Sequence, residues 1–203
     1  MTLSNYDAND VYWEAQCMFL LKEYHRAAHI IKLRGLERTN IYCHYLAVES
    51  YLEAQEYQAA IDLLNSVDTD NLASSLVGGG GGAAGLNTDN ESTNRSMNLN
   101  EPSKLDVLSS IWLLKGKVLE AMDNRTLAME CYVQALQLSV YCTEALDALV
   151  QHEMLMAWEE KDLMASLPFE QQCLEADIKI VKTLYTSKLK KYYESIECAV
   201  SLC

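Results

Sequence analysis

The chain has 203 residues and a formal net charge of −13, and half of its residues are hydrophobic. The acidic balance argues against nucleic-acid binding, because phosphate recognition needs clustered lysine and arginine. No apolar run reaches the roughly 18 residues of a membrane span, and no signal-peptide pattern occurs at the start. The seven cysteines are odd in number and include no C-x-x-C pair. We therefore expect reduced thiols, a location in the nucleus and cytoplasm, and no zinc site.

The chain begins with two predicted helical pairs over residues 1–65. The first helix is capped by Asn9 or Asp10 and runs to about residue 21. Its apolar face is formed by Val11, Ala15, Met18 and Leu21. The second helix covers residues 24–33, and Gly35 behind it suits a left-handed C-cap.

The second predicted pair follows directly. Thr39 or Asn40 caps a helix that runs to about residue 54, and its partner covers residues 57–65. From residue 66 to residue 103 the composition changes to Ser, Asn, Thr, Asp and Gly, with five consecutive glycines at 78–82. Few apolar side chains are available there to offset the entropy of ordering, so residues 66–103 are predicted to be a disordered insertion.

Residues 111–138 predict two amphipathic helices joined by a polar turn at 123–125. The first helix carries one face formed by Trp112, Gly116 and Leu119. The second helix repeats this spacing with Ala128, Tyr132 and Ala135. Small residues let two helix backbones approach closely, so we expect Gly116 to face Ala128. A plain helical hairpin from another kind of bundle is the alternative for this stretch alone.

These positions resemble the tetratricopeptide (TPR) pattern W-x2-L-G-x2-Y…A-x3-F, with Lys115 in place of the leucine. Ala27 and Ala60 lie 33 residues apart, one fewer than the TPR period. Counting back from each alanine, the same register collects small or β-branched residues at Ala15, Val48 and Gly116. It then collects apolar or aromatic residues at Met18, Tyr51 and Leu119. We therefore predict an all-α solenoid of TPR hairpins in a right-handed superhelix.

Residues 104–203 are predicted to hold the third repeat and degenerate or partial repeats. A helix over about 142–158 and a short one near 160–167 form the degenerate fourth pair. Pro168 opens a further helix with a buried face of Ile178, Val181, Leu184 and Tyr185. A turn at 188–191 leads to a last helix that ends at Cys203 without a polar cap. Because solenoids need a capping end, we expect the front portion of a longer array.

The chemistry that the sequence offers is sparse, and we expect neither an active site nor a cofactor. His25 and His29 have the i, i+4 spacing of helical metal ligands, so a metal-dependent enzyme is the remote alternative. Arg26 stands where a metalloprotease helix would carry its glutamate, and a cation beside a metal is unfavourable.

Protein binding is the stronger prediction. TPR arrays bind ligands on the face built from the first helix of each pair. The class that binds chaperone tails holds a carboxylate with Lys and Asn at the fifth and ninth positions, and this clamp is missing here. Those positions and a neighbouring aromatic form the predicted interaction surface, which consists of Tyr12, Gln16, Phe19, Tyr45, Glu49 and Lys117, together with Leu113. The surface is aromatic and mildly acidic, which suits an apolar or basic partner helix.

A more specific resemblance covers nearly the whole chain outside the glycine insertion. Residues 10–17 (Asp-Val-Tyr-Trp-Glu-Ala-Gln-Cys) are similar to the N-terminal TPR half of subunit six of the anaphase-promoting complex, the cell-division-cycle "sixteen" type. The other matching segments are 23–29, 123–128, 138–142, 159–163 and 166–168. This resemblance implies a non-catalytic scaffold in a ubiquitin ligase that controls mitotic exit, with other TPR subunits as partners. It also implies homodimers joined through the N-terminal halves.

Two departures from that family matter. Family members carry a further helical segment before the position of Asp10, where this chain has nine residues, so part of the dimer surface is expected to be missing. They also continue with repeats that hold a small helical partner subunit, beyond the point where this chain stops. A TPR adaptor for some other complex is the alternative within binding proteins.

Overall fold

The computed structural model describes residues 7–69, 71–72 and 104–189, which are helical throughout apart from turns and short connections. The helices are α1 (Ala8–Leu20), α2 (Tyr24–Leu33), α3 (Ile41–Glu53), α4 (Tyr57–Ser66), α5 (Lys104–Ala121), α6 (Arg125–Leu138), α7 (Thr143–Gln151), α8 (Ala157–Ser166), α9 (Phe169–Gln172) and α10 (Glu175–Lys188). A 3-10 turn, Leu36–Arg38, precedes α3. None of the helices in the described part of the chain is long and apolar enough to cross a membrane.

The same tight turn ends α1, α3, α5 and α7. In each turn one residue other than glycine has a positive φ: Lys22 (63°), Gln55 (62°), Asp123 (61°) and Glu153 (49°). The N–H of Lys22 donates to the carbonyl of Phe19 at 2.8 Å, and the next N–H donates to the carbonyl of Met18 at 2.9 Å. This pair of bonds is the Schellman motif, which satisfies carbonyls that a helix end would otherwise leave unpaired.

The recurring turn corrects the prediction of one helix over residues 142–158. Glu153 donates to Val150 and Met154 donates to Leu149 in the same pattern, so α7 ends at Gln151. The following helix, α8, begins at Ala157, four residues after Glu153. In the other three pairs the second helix begins two residues after the residue with positive φ. The fourth pair therefore keeps the turn but carries a longer connection.

Helix ends agree with the predicted bounds where local signals are strong. Asn40, rather than Thr39, caps α3, since its side chain accepts from the N–H groups of Tyr42 at 3.0 Å and Cys43 at 3.1 Å. Gly35 has the expected left-handed conformation, with φ of 66°. At the start of α1 the expected caps Asn9 and Asp10 are wrong, because both lie inside the helix and Asp7 is the N-cap.

The core is continuous from α3 to α10, and a smaller cluster joins α1, α2 and α3. Val11 and Ala15 are buried as expected, but Leu21 is 72% exposed because α1 ends at Leu20 and Leu21 belongs to the turn. Tyr185 is fully buried and its hydroxyl donates to the carbonyl of Val140 at 2.6 Å. The other residues predicted to share its face are half-buried or, for Leu184, 41% exposed.

The region after Pro168 also differs from the single predicted helix. It is divided into the short α9 and the longer α10, with a break at Cys173 and Leu174. Gln172 at the end of α9 donates to the carbonyls of Gln137 and Leu138 at 3.0 and 3.1 Å. These are carbonyls at the C-terminus of α6 that have no partner within their helix. Gln172 thus fixes α9 against the end of the third pair.

The predicted insertion begins later than residue 66. Ser66 is the last residue of α4, residues 69 and 71–72 are helical, and Leu72 is buried against the main core. Leu72 packs into the core and so orders the first residues after α4. The average composition of residues 66–103 does not reveal this one apolar contact. The rest of the insertion, residues 73–103, and the predicted last helix after residue 189 lie outside the described residues.

Candidate protein-binding groove

The first helices of successive pairs lie side by side. Helix α1 contacts α3, and α3 contacts α5, while α2, α4 and α6 each pack against the first helix of the next pair. One face of the array is therefore formed by first helices alone. We call this the groove face, and it comprises Tyr12, Gln16, Tyr42, Tyr45, Glu49, Glu53, Leu113, Lys117 and Glu144.

One end of the groove face is aromatic. The ring of Tyr12 lies 6.3 Å from that of Tyr42 and 5.3 Å from that of Trp13, both edge to face. Burial raises the pKa of Tyr12, and the negative charge of Glu49 raises it further. Tyrosines with a buried ring and a polar tip are the residues that protein interfaces favour.

The other end of the groove face is acidic. Partial burial raises the pKa of Glu49, and the charges of Glu53 and Glu144 add to this effect, while Lys117 opposes it. The Nζ of Lys117 lies 2.9 Å from Oε2 of Glu144, in a pair whose side chains are 42% and 69% exposed. One ammonium group is thus set against three carboxylates, and its closest contact is with the outer one.

Tyr45 lies between the two ends. Burial raises its pKa, and Glu49, Glu144, Cys142 and Tyr12 raise it further, in that order. On α3, Tyr45 lies one helical turn after Tyr42 and one turn before Glu49. The aromatic end of the groove face therefore continues into the acidic end along this helix.

A cavity of about 230 Å³ opens beside the acidic end, and we call it the hydroxyl pocket. Its lining is Asp106, Ser109, Ser110, Leu113, Ser139, Tyr141, Cys142, Thr143 and Glu144. Ser139 donates from Oγ to Oδ1 of Asp106 at 2.9 Å, and the buried Ser109 donates to the carbonyl of Ala135 at 2.8 Å. The lining holds two carboxylates and no basic side chain.

Five of the six predicted interaction residues lie on the groove face: Tyr12, Gln16, Tyr45, Glu49 and Lys117. Gln16 is half-buried on α1, one turn beyond Tyr12. Phe19 is different, because its ring packs edge to face on Tyr24 of α2 at 5.3 Å. It closes the turn of the first pair rather than extending the groove.

Sequence reasoning missed Tyr42, Asp106 and Glu144. Tyr42 lies three residues before Tyr45 on the same helix, so helical spacing alone could have found it. Glu144 lies in the first turn of α7, in the pair predicted to be degenerate. Asp106 is distant from Glu144 in sequence, and the two residues meet only in the folded chain, where both line the same pocket.

The predicted packing residues fill the space between paired helices. The buried ones are Ala15, Ala27, Ala60, Gly116, Ala128, Tyr132 and Ala135, whereas Tyr51 and Trp112 are half-buried. The expectation that Gly116 faces Ala128 is wrong. A Cβ at position 116 would overlap Cε1 and Cδ1 of Tyr132, so the glycine makes room for that ring.

The histidine pair offers little to a metal. The Nδ1 atom of His25 lies 3.5 Å from Oε1 of Glu56 at the surface, and His29 is exposed. Within the described residues, no group of three or more His, Cys, Asp or Glu side chains is placed to hold a metal ion.

Comparison with known proteins identifies several relatives. Residues 1–67 match the family described as anaphase-promoting complex, cyclosome, subunit 3. The chain is 40% identical over 201 residues to the Cell division cycle protein 16 homolog of Mus musculus, which covers 98% of this chain and 31% of that protein. It is 28% identical over 188 residues to Anaphase-promoting complex subunit 6 of Arabidopsis thaliana, covering 92% of this chain and 32% of that protein.

A solved structure of a related protein has a similar fold. The crystal structure of the APC/C hetero-tetramer Cut9-Hcn1 matches with a TM-score of 0.71 and 25% sequence identity, covering 94% of this chain and 31% of that chain. The resemblance expected from the sequence and the all-α TPR solenoid are therefore confirmed. The chain spans about a third of the length of the curated relatives it matches.

Proposed function

The chain is related over almost its whole length to the subunit-six, or cell division cycle 16, type of TPR protein, and from this we propose that it is a non-catalytic scaffold subunit of the anaphase-promoting complex. In this role it contributes to a ubiquitin ligase of the cell cycle by binding other subunits, and works in the nucleus and cytoplasm. The 40% identity across 98% of the chain is the observation that carries the proposal.

The partners we propose are the other TPR subunits of that complex and a second copy of this chain. The groove face supports this role. Tyr12, Tyr42 and Tyr45 present partly buried rings along adjacent first helices, and Trp13 beside them is 64% exposed. An aromatic strip of this kind is what a docked helix needs for its apolar side.

Affinity purification of the tagged full-length protein tests the scaffold role. We expect sister TPR subunits to co-purify with the wild type and to be reduced by Tyr12→Glu or Tyr45→Glu. The matched control is Leu127→Glu, which places the same charge at an exposed position of a second helix, away from the groove face. A stable set of partners without any subunit of the complex would favour the alternative, a TPR adaptor of another assembly.

Sedimentation velocity tests homodimerisation separately. We expect a concentration-dependent dimer of the full-length protein that weakens with Tyr12→Glu and not with Leu127→Glu. A monomer at tens of micromolar would contradict the homodimer while leaving the binding of sister subunits intact.

A further inference from the structure

The acidic end of the groove face and the hydroxyl pocket beside it form one continuous lining. Glu144 belongs to both, since it contacts Lys117 on one side and lines the pocket with Asp106 on the other. Glu49 lies close enough to Glu144 and Lys117 for both charges to act on its pKa. The hydroxyl pocket contributes Asp106 and Glu144, and the acidic end of the groove face adds Glu49 and Glu53 beside the ammonium group of Lys117.

That lining has the chemistry of a receptor for a cationic hydrogen-bond donor. The half-buried Glu49 carboxylate is held near two other negative charges, which a cation would relieve. The hydroxyl groups of Ser110, Tyr141 and Thr143 can accept hydrogen bonds, and a guanidinium group carries five donors in a fixed fork. Tyr45 lies one helical turn before Glu49 on α3, so a cation bound at Glu49 also has an aromatic side chain on the same helical face.

The size of the pocket selects a side chain rather than a small-molecule ligand. Its volume of about 230 Å³ is below the roughly 300–1,000 Å³ of typical ligand sites. The neighbouring tyrosines continue the surface in the direction of α1, so a bound segment would place one basic side chain at the pocket and apolar side chains along the rings.

We propose that the groove face is specific for a partner segment bearing arginine, whose guanidinium group binds at Glu49 and Glu144 and reaches into the hydroxyl pocket. Charge complementarity decides in favour of this occupant, because the chain carries a net charge of −13 and the lining of the hydroxyl pocket holds two carboxylates and no basic side chain. The inference rests on the proposed scaffold function, since it names the chemistry that the same groove selects.

Replacing Lys117 should change the affinity for a basic segment in the opposite direction from replacing a glutamate. In the free protein the Nζ atom of Lys117 donates to Oε2 of Glu144 at 2.9 Å, so an incoming guanidinium group must compete with this lysine for the carboxylate. Exposed ion pairs of this kind are weak, and the exchange is therefore feasible. Removing the lysine should strengthen the binding of a basic segment, whereas removing either glutamate should weaken it.

Fluorescence anisotropy with a labelled helical peptide of alanine, leucine and arginine tests the proposal on the full chain. The matched probe replaces each arginine by citrulline, which keeps the shape and removes the charge. We expect the citrulline peptide to bind at least about tenfold more weakly, because a charge-assisted hydrogen bond contributes more than a neutral one. Glu49→Gln and Glu144→Gln should each weaken the arginine peptide several-fold, and Lys117→Met should tighten it.

The control variant is Glu130→Gln, which removes one negative charge from the exposed surface of α6. We expect its affinity for the arginine peptide to stay within about twofold of wild type. Circular dichroism midpoints of all variants verify that they fold. Equal binding of both peptides, absence of binding, or equal losses in Glu130→Gln and Glu49→Gln would overturn the arginine specificity. None of these outcomes changes the result expected for co-purification of sister subunits. Failure of the arginine specificity can therefore be distinguished from failure of the scaffold role.

Discussion

The first three helical pairs place side chains of different size at the same register of their first and second helices. Sixteen residues separate Ala15 from Ile31, Val48 from Leu64 and Gly116 from Tyr132, so each couple has the same register. All six residues are buried. In the third pair the first helix has the smallest residue, glycine, and the second helix has the largest of the three partners, Tyr132, whereas the first two pairs combine Ala15 with Ile31 and Val48 with Leu64. The third pair therefore shifts the volume at this register to its second helix, where the ring of Tyr132 fills the space that Gly116 leaves.

The third pair gains a polar connection from its tyrosine that the first two pairs cannot make. The hydroxyl of Tyr132 donates to Oε2 of Glu120 at 2.6 Å, and Glu120 also pairs with His152 at the end of α7. Arg125 donates to the carbonyl of His152 from the start of α6. Ile31 and Leu64 have no polar atom in their side chains. The third pair is thus joined to the fourth by a polar network that begins at the hydroxyl of Tyr132.

The strongest test of the difference between the pairs is to replace Gly116 of the third pair by valine, the residue that the second pair has at position 48. Gly116→Val should destabilise the chain by about 1–3 kcal/mol or more, because its side chain would overlap the ring of the fully buried Tyr132. The gain in helix propensity on replacing glycine offsets only part of this. Urea denaturation followed by circular dichroism gives the free energy of unfolding.

Transplanting the whole couple provides the control. Gly116→Val combined with Tyr132→Leu reproduces Val48 and Leu64 of the second pair, and we expect it to recover part of the loss of the single variant. A double-mutant cycle should show coupling well above the roughly 0.5 kcal/mol of independent sites. Strict additivity would mean that volume is not exchanged across this register.

The polar connection is tested by Tyr132→Phe, which keeps the ring in its cradle and removes the hydroxyl. We expect a loss of about 1–2 kcal/mol, since the acceptor is a carboxylate. The control is Tyr24→Phe, which preserves the ring contact with Phe19 in the first pair. Equal losses in the two variants would show that the link between the third and fourth pairs contributes nothing specific.

Helix capping gives a smaller difference, between α3 and α6. Asn40 accepts two backbone N–H bonds at the start of α3, whereas Asn124 at the start of α6 makes no side-chain cap. Asn40→Ala should therefore cost about 1 kcal/mol, and Asn124→Ala should be close to neutral. Thermal melts of the two variants provide the measurement, and a larger shift for Asn124→Ala would contradict the assignment.

Local signals predicted the fold well, and contacts between distant residues escaped prediction. Apolar periodicity located α2 and α4 almost to the residue, because each helix needs only its own spacing. The turn at Glu153 was missed because its left-handed residue is not glycine, so no residue type marked the break. Gly116 was assigned to the nearer small residue, Ala128, although the space it leaves is filled by the large Tyr132. In the groove, α1 and α3 supplied most of the predicted residues, whereas Glu144 enters through an ion pair spanning 27 positions.

The smallest expected effect concerns the register where the TPR pattern has tryptophan. In the third pair this position is the half-buried Trp112, with Nζ of Lys115 lying 5.3 Å from its ring centre. In the second pair it is His44, which is fully buried, with Nδ1 at 2.9 Å from the carbonyl of Glu37. Its Nε2 has no hydrogen-bond partner in the described part of the chain.

Burial lowers the pKa of His44, while the bond to Glu37 partly opposes the shift. A proton therefore binds the unfolded chain more readily than the folded one. The stability contributed by neutral His44 is complete above the unfolded pKa of about 6.5 and declines as the pH falls through that value. The slope for one group cannot exceed about 1.4 kcal/mol per pH unit, and between pH 7 and pH 6 it is a fraction of that. Denaturation midpoints across this interval should fall less steeply in His44→Gln than in the exposed control His29→Gln, and equal slopes would exclude His44 as the titrating group.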